Sequence, residues 1–274
     1  MTLEFPLALH FAPNLSPCKV VSDRILLRKT SLVDYPGRVS SVFFFSGCNL
    51  RCPWCHNREL VSGGAGGLVS VDEGLAHIKK RRSVLGGVVL SGGEPCLQED
   101  LPLYISEIKK LTLPVKLDTN GTFPAMLEKL FSREETRPDY IALDLKISPA
   151  RYRELCNNSE QMHDKLIQSA ELIRESGIAH EYRTLALPSV LRPSVLRPGA
   201  YITESDIEAL APLADNAPWY FRAFRGGNCL DSAWDSLEEN ENDAQTKVEA
   251  LARKARDLGK KGVTNETHFA LHRT

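Results

Sequence analysis

The sequence predicts an α/β fold of six β/α units, arranged as a partial barrel or an open doubly wound sheet. Two observations carry this. Six short, nearly continuous apolar runs alternate with amphipathic helical patterns, the signature of a parallel sheet covered by helices on its outer face. Residues of chemical rather than packing character recur just after those runs, and ligands of such folds sit at the carboxyl ends of the strands. Six units in about 190 residues are too few for a closed eight-unit barrel.

The first thirty or so residues are irregular, interrupted by Pro6, Pro13 and Pro17, and 1–22 are set apart as an N-terminal extension. The apolar runs at 39–45, 87–90, 115–118, 140–146, 181–187 and 219–224 are read as strands. Helical periodicity falls between them at 71–82, 98–111, 124–131, 161–176 and 203–213. Thr203 supplies a cap and Glu204 and Asp206 an acidic first turn for the last of these. The glycine-rich stretch 62–67 lacks the Lys-Ser/Thr of a phosphate loop and reads as a flexible connector. Residues 238–257 are charged and helix-prone, so 232–274 is expected to be a C-terminal helical tail after a main domain at 23–231.

Composition narrows the function. The 34 basic and 35 acidic side chains leave a formal net charge of −1, which argues against nucleic acid or an anionic membrane as partner. No apolar stretch reaches the roughly 18 residues of a membrane span, and no signal peptide is legible. Seven cysteines do not pair off into disulfides, and three lie within eight residues, so a reduced cytoplasmic protein that uses thiols for chemistry is expected.

Those three are Cys48, Cys52 and Cys55. Positions i, i+4 and i+7 would share a helix face, but Gly47 and Pro53 oppose a helix there. Structural zinc with His56 as fourth ligand is a second reading, strained because neighbouring residues would ligate one ion. The third is an iron–sulfur cluster on a loop, in which a four-iron cubane receives three ligands and keeps one iron open.

The cysteine spacing, with Trp54 before the last Cys, and Gly92-Gly93-Glu94-Pro95 after the next strand resemble the radical S-adenosylmethionine (SAM) signature. Lys29-Thr30-Ser31-Leu32-Val33-Asp34-Tyr35-Pro36-Gly37 and the segment from Cys48 to Asn57 resemble the activating proteins of anaerobic ribonucleoside-triphosphate reductase. Asp118-Thr119-Asn120-Gly121 and Asp144-Leu145-Lys146 are similar to pyruvate formate-lyase activating enzyme, and the resemblance covers about residues 22 to 228.

The resemblance implies a partial (β/α)6 barrel with a 4Fe–4S cluster on Cys48, Cys52 and Cys55 and SAM on the open iron. It places Trp54 beside the adenine, His56 at the nucleoside or as a brace of the loop, and Gly92, Gly93 and Glu94 at the ammonium. Lys146 with Asp144 would take the carboxylate, with a monovalent cation shared by Asp118, and Arg183 would border the site. The related activases carry a His at the ribose where this chain reads Phe224-Arg225-Gly226-Gly227, which leaves that contact unassigned. Cys96, Cys18, Cys156 and Cys229 are expected to be ordinary thiols. The implied activity is reductive cleavage of SAM to a 5′-deoxyadenosyl radical, which takes hydrogen from a glycine of a partner enzyme. The cofactors carry that chemistry, so no acid–base catalyst is nominated. A flavodoxin- or ferredoxin-type electron donor is implied. Two alternatives stay open: a small-molecule enzyme of the same superfamily, such as a 7-carboxy-7-deazaguanine synthase-like protein, and a zinc-stabilised binding module.

Overall fold

The computed structural model describes residues 23–156, 161–188, 202–235, 237 and 241–264; the extension 1–22, with Cys18, lies outside them. Among the described residues nine strands form one sheet. In chain order the elements are β1 (Arg24–Ser31), β2 (Ser40–Phe45), α1 (Arg58–Ser62), β3 (Val69–Ser70), α2 (Val71–Arg81), β4 (Gly87–Gly92), α3 (Leu101–Lys109) and β5 (Val115–Thr119). Then follow α4 (Pro124–Phe131), β6 (Tyr140–Asp144), α5 (Met162–Glu175), β7 (Ala179–Ala186), α6 (Glu204–Leu210), β8 (Pro218–Ala223), α7 (Glu241–Asp257) and β9 (Lys261–Thr264).

The sheet order is β3-β1-β2-β4-β5-β6-β7-β8-β9. From β2 through β9 every neighbouring pair is parallel, and β1 is antiparallel to both β2 and β3. A doubly wound sheet would reverse direction partway. Here the strands advance in one direction, and right-handed crossovers then put every helix on the same face. Alternation along the strands fits that division. Phe43, Phe45, Leu90, Leu117, Ile141 and Leu143 are fully buried on the helix side under Ile78, Ile105, Leu127 and Ile173. Val42, Val89 and Tyr35 form a separate small cluster on the other side, with Phe44 and Tyr140 against it.

The sheet curls. Asp231 N donates to Pro53 O at 3.0 Å, and His56 Nε2 lies 2.6 Å from Arg225 O, so the loops after β2 and β8 meet. In a flat sheet those strands, five spacings apart, would stand about 24 Å from one another. No ladder joins β3 to β9 among the described residues, so the barrel is partial.

Four elements depart from the sequence reading. β1 occupies part of the stretch read as irregular; only Ile25 and Ser31 are buried in it, too little to make an apolar run. α1 and β3 flank the glycine connector, and β3 leads into α2 through a reciprocal Ser70–Glu73 cap. The C-terminal stretch carries the expected helix, α7, but β9 follows it and extends the sheet beside β8. No helix among the described residues is long and apolar enough to cross a membrane.

Candidate active site

The loop after β2 carries all three cysteines into one cavity of about 530 Å³ at the carboxyl ends of the strands. Trp54, His56, Gly92, Gly93, Glu94, Asp118, Asp144, Lys146 and Arg183 line the same cavity. Residues scattered over about 140 positions of sequence therefore converge on one site.

The loop is held from several sides. Gly47 N donates to Leu60 O at 2.9 Å, and Arg51 N to Leu155 O at 2.6 Å. Asn49 Nδ2 donates to Thr122 Oγ1 at 2.8 Å, and Asn120 Nδ2 to Asn49 Oδ1 at 3.0 Å. The turn after β5 thus braces the first cysteine; Asn120 Nδ2 also lies 3.9 Å from Cys48 Sγ. Burial, and then the charge of Glu94, push the Cys48 thiol up to about 12.

Gly92 and Gly93 are required by backbone packing before any ligand is considered. Gly92 has φ +120°, and a Cβ there would lie 2.3 Å from Phe45 N. A Cβ on Gly93 would lie 1.9 Å from Gly47 O. That contact lets Glu94 N donate to Gly47 O at 2.9 Å, which pins the start of the cysteine loop to the end of β4. Glu94 itself points inward and is fully buried. Its Oε1 accepts from Cys96 N at 3.0 Å and Thr119 Oγ1 at 2.9 Å, and its Oε2 from Asn120 N at 2.7 Å. Burial raises its pKa against these donors. The Glu94 carboxylate is a strut between β4 and the Asn120 turn.

Asp118 and Asp144 form the centre of a buried ionic wall. Arg183 bridges them, with Nη1 3.2 Å from Asp118 and Nε 2.7 Å from Asp144. Lys146 Nζ stands 3.2 Å from Asp144, and Lys116 Nζ 2.5 Å from Asp118 and 3.8 Å from Glu181. Burial opposes ionisation of Asp144, but the Arg183 guanidinium and then Lys146 outweigh it and hold its pKa well below the carboxylate range. Asp118 is lowered in the same way by Arg183 and Lys116 against its burial. The Arg183 guanidinium thus lies between the two carboxylates.

Trp54 and His56 are held by the loop after β8. Trp54 is 6% exposed, its ring centroid 5.5 Å from that of Trp234, which in turn packs edge-on to Phe224 at 5.6 Å. His56 stacks on Phe224 at 6.0 Å with Nε2 on Arg225 O, and Asn228 Nδ2 donates to His56 O at 3.2 Å. His56, the fourth ligand of the zinc alternative, has its Nε2 on that carbonyl. Cys96, Cys156 and Cys229 do not line the cavity. Their thiols pack locally, against Thr119, Tyr152 and Gly227 respectively.

Sequence reading missed Lys116, Glu181, Arg222 and Trp234. The first three share one feature, a charged residue on the inward face of a strand, a face that the register of the sheet assigns. Nothing in the sequence around Trp234 marks its packing on Trp54.

This curled parallel sheet, with a three-cysteine loop after its first parallel strand, defines an enzyme class that joins an iron–sulfur cluster to SAM. The radical SAM superfamily profile matches residues 42–192, and the chain belongs to that superfamily. A Methanocaldococcus jannaschii protein named "Putative glycyl-radical enzyme activating enzyme" is 31% identical over 219 residues, 77% of this chain and 85% of that one. The pyruvate formate-lyase-activating enzyme of Clostridium pasteurianum is 28% identical over 54% of this chain and 62% of its own length. The fold is similar to that of Streptococcus suis SuiB bound to SAM, with TM-score 0.55 and 14% identity over 82% of this chain; this chain spans 51% of that one.

A member of this superfamily works with a 4Fe–4S cluster and SAM, and the residues present fit both. Three thiols on one loop reach the cavity, and no fourth cysteine among the described residues lines it. Lys146 lines the same cavity as Cys48, Cys52 and Cys55, which sets a cation in the site with the thiols.

Proposed function

We propose that this chain is a glycyl-radical-enzyme activase whose protein substrate is the anaerobic ribonucleoside-triphosphate reductase. The likeness to the M. jannaschii protein across most of both chains supports the activase class. The sequence motifs at 29–37 and 48–57 support the particular partner. The observation that carries the reading furthest is the cavity, which runs from the cysteine loop to Arg28, Asp34 and Phe44 at the open edge of the sheet. An extended segment of a second protein can enter there without unfolding the barrel.

Cys48, Cys52 and Cys55 would hold the cluster, and SAM would lie beside it in the same cavity. Bound together, cluster and SAM supply a one-electron cleavage that ends in removal of hydrogen from the substrate. The chain's own residues bind and orient. Lys146 takes the SAM carboxylate while Asp144 and Arg183 hold it in place. The Gly92-Gly93 backbone faces the ammonium, and Glu94 fixes that backbone from behind. Asp118 acts through Arg183, by keeping the guanidinium between two carboxylates. Trp54 borders the adenine with Trp234 behind it, and His56 braces the loop. A flavodoxin- or ferredoxin-type protein supplies the electron.

The test is anaerobic mixing of the reduced, SAM-loaded enzyme with the reductase and with other glycyl radical enzymes, read by electron paramagnetic resonance. A glycyl radical on the reductase is expected. A radical on another partner alone changes the substrate. No radical on any of them, with turnover of a small molecule such as a deazaguanine precursor, replaces the activase reading.

A further inference from the structure

Lys146 lies past the point where the β5 ladder can hold it. β5 and β6 pair as far as Thr119 and Leu143, and β5 ends at Thr119. Leu145 N still donates to Arg183 O at 2.9 Å, so its backbone N–H faces β7. Successive residues of a strand turn their backbone groups to opposite edges. Asp144 O and Lys146 N therefore face the β5 side, beyond the last residue of that strand. Tyr152 stands there. Lys146 N donates to the Tyr152 hydroxyl at 3.0 Å, and the hydroxyl donates to Asp144 O at 3.1 Å. One fully buried side chain thus replaces the missing strand at both ends of the Asp144–Lys146 pair.

The segment that carries this hydroxyl is itself fixed at both ends. Tyr152 belongs to a short 3₁₀ helix, Pro149–Leu155. Leu155 O accepts from Arg51 N at 2.6 Å, between Cys48 and Cys52. Asp206 of α6 holds the other end, its Oδ1 accepting from Ser148 N at 3.2 Å and Arg151 Nη1 at 3.0 Å. Both partners of the 3.2 Å Lys146–Asp144 ion pair are therefore held through their main chain by one hydroxyl on an anchored segment. A ring packed in the core presents that hydroxyl at one place, because close packing leaves it no room to shift.

We propose that Tyr152 is a positioning residue for SAM that acts through Lys146: its hydroxyl sets where the ammonium meets the carboxylate of the cofactor. Tyr152 does not line the cavity itself. The assignment rests on the reading of Lys146 as the receptor for that carboxylate. Outer groups that orient metal ligands control affinity by about 10- to 100-fold, and one hydroxyl acting on one cation is placed at the lower end. The loss on its removal should fall on the carboxylate and leave the rest of the ligand alone.

The test compares the wild type with Tyr152→Phe, full-length and reconstituted anaerobically. The change removes one oxygen and keeps the ring. The probes are SAM and decarboxylated SAM, which lacks only the carboxylate, each titrated by calorimetry. SAM affinity is expected to fall about tenfold in Tyr152→Phe, while that of decarboxylated SAM stays within about twofold. Iron content should remain that of the wild type. In a Lys146→Met background the same change should have no further effect on SAM affinity, and a second tenfold loss there overturns the proposal. Unchanged SAM affinity in Tyr152→Phe overturns it. An equal loss for both ligands does so too, by making the hydroxyl a general support of the fold. Loss of iron overturns it by assigning the hydroxyl to the cysteine loop. Amide exchange of the metal-free protein, read by mass spectrometry, checks the bond itself. The peptide holding Lys146 should exchange faster in Tyr152→Phe, and an unchanged rate overturns the proposal. A wild type that does not distinguish SAM from decarboxylated SAM sinks the reading of Lys146. A wild-type preference that Tyr152→Phe leaves intact sinks only the assignment of Tyr152.

Discussion

Gly93→Ala tests how the cysteine loop is held. The added Cβ would lie 1.9 Å from Gly47 O, 2.6 Å from Gly47 C and 3.2 Å from Cys48 Cβ. The first two neighbours are backbone, so no rotamer change relieves the clash. Overpacking of this kind costs about 1–3 kcal/mol, with the upper end expected where backbone must move. The shift also breaks the Glu94 N to Gly47 O bond of 2.9 Å, worth about 1 kcal/mol. The sum, about 3–4 kcal/mol, is a large part of the roughly 5–15 kcal/mol that holds a domain folded. Urea unfolding of the metal-free protein, with a check that the m value is unchanged, measures it. Iron bound after anaerobic reconstitution reports whether Cys48 has been displaced. Gly64→Ala is the control, because a Cβ there meets nothing within 4 Å. Its stability should change by less than about 1 kcal/mol. Wild-type stability and full iron content in Gly93→Ala would refute the account of the loop.

Two further substitutions probe the wall and the strut. Glu94→Gln turns an amide N–H toward groups that all donate, so a loss of about 2–3 kcal/mol is expected in the same urea assay, and an unchanged midpoint would remove Glu94 as a strut. Arg183→Met leaves Asp118 and Asp144 without their shared guanidinium, at a cost of about 3 kcal/mol near neutral pH. Their folded pKa values are depressed in the wild type, so the stability they add is present above the ordinary carboxylate range and fades as pH falls below about 4. In Arg183→Met burial acts unopposed by the guanidinium, the folded values rise, and acid unfolding moves to higher pH. Circular dichroism against pH checks this, and an unmoved acid midpoint would contradict it.

How much of this was legible in the sequence differs by element. β2, β4 and β6 announce themselves because they are mostly buried and their apolar runs are nearly unbroken. β1 does not: Arg24, Arg28 and Lys29 lie on a strand that buries only Ile25 and Ser31, so its pattern resembles a loop. β9 is four residues long and follows a charged helix, and only its pairing with β8 defines it. At the site, Cys48, Cys52 and Cys55 were readable because their spacing has few other physical meanings. Glu94 was readable as important, but its direction was not, since a carboxylate after two glycines can face a ligand or the core. Lys116 and Arg222 needed the alternation of each strand to be assigned to a face, which only the finished sheet provides.

The central claim is that three thiolates of one loop hold a cluster with an open iron for SAM. Iron analysis and electron paramagnetic resonance of the anaerobically reconstituted, reduced protein, wild type beside Cys52→Ala, test it most directly. The account predicts about four irons per chain in the wild type and a signal that changes when SAM is added. It predicts loss of both, and of 5′-deoxyadenosine formation, in Cys52→Ala. Zinc in place of iron in the wild type, or a full cluster and SAM cleavage in Cys52→Ala, would contradict it.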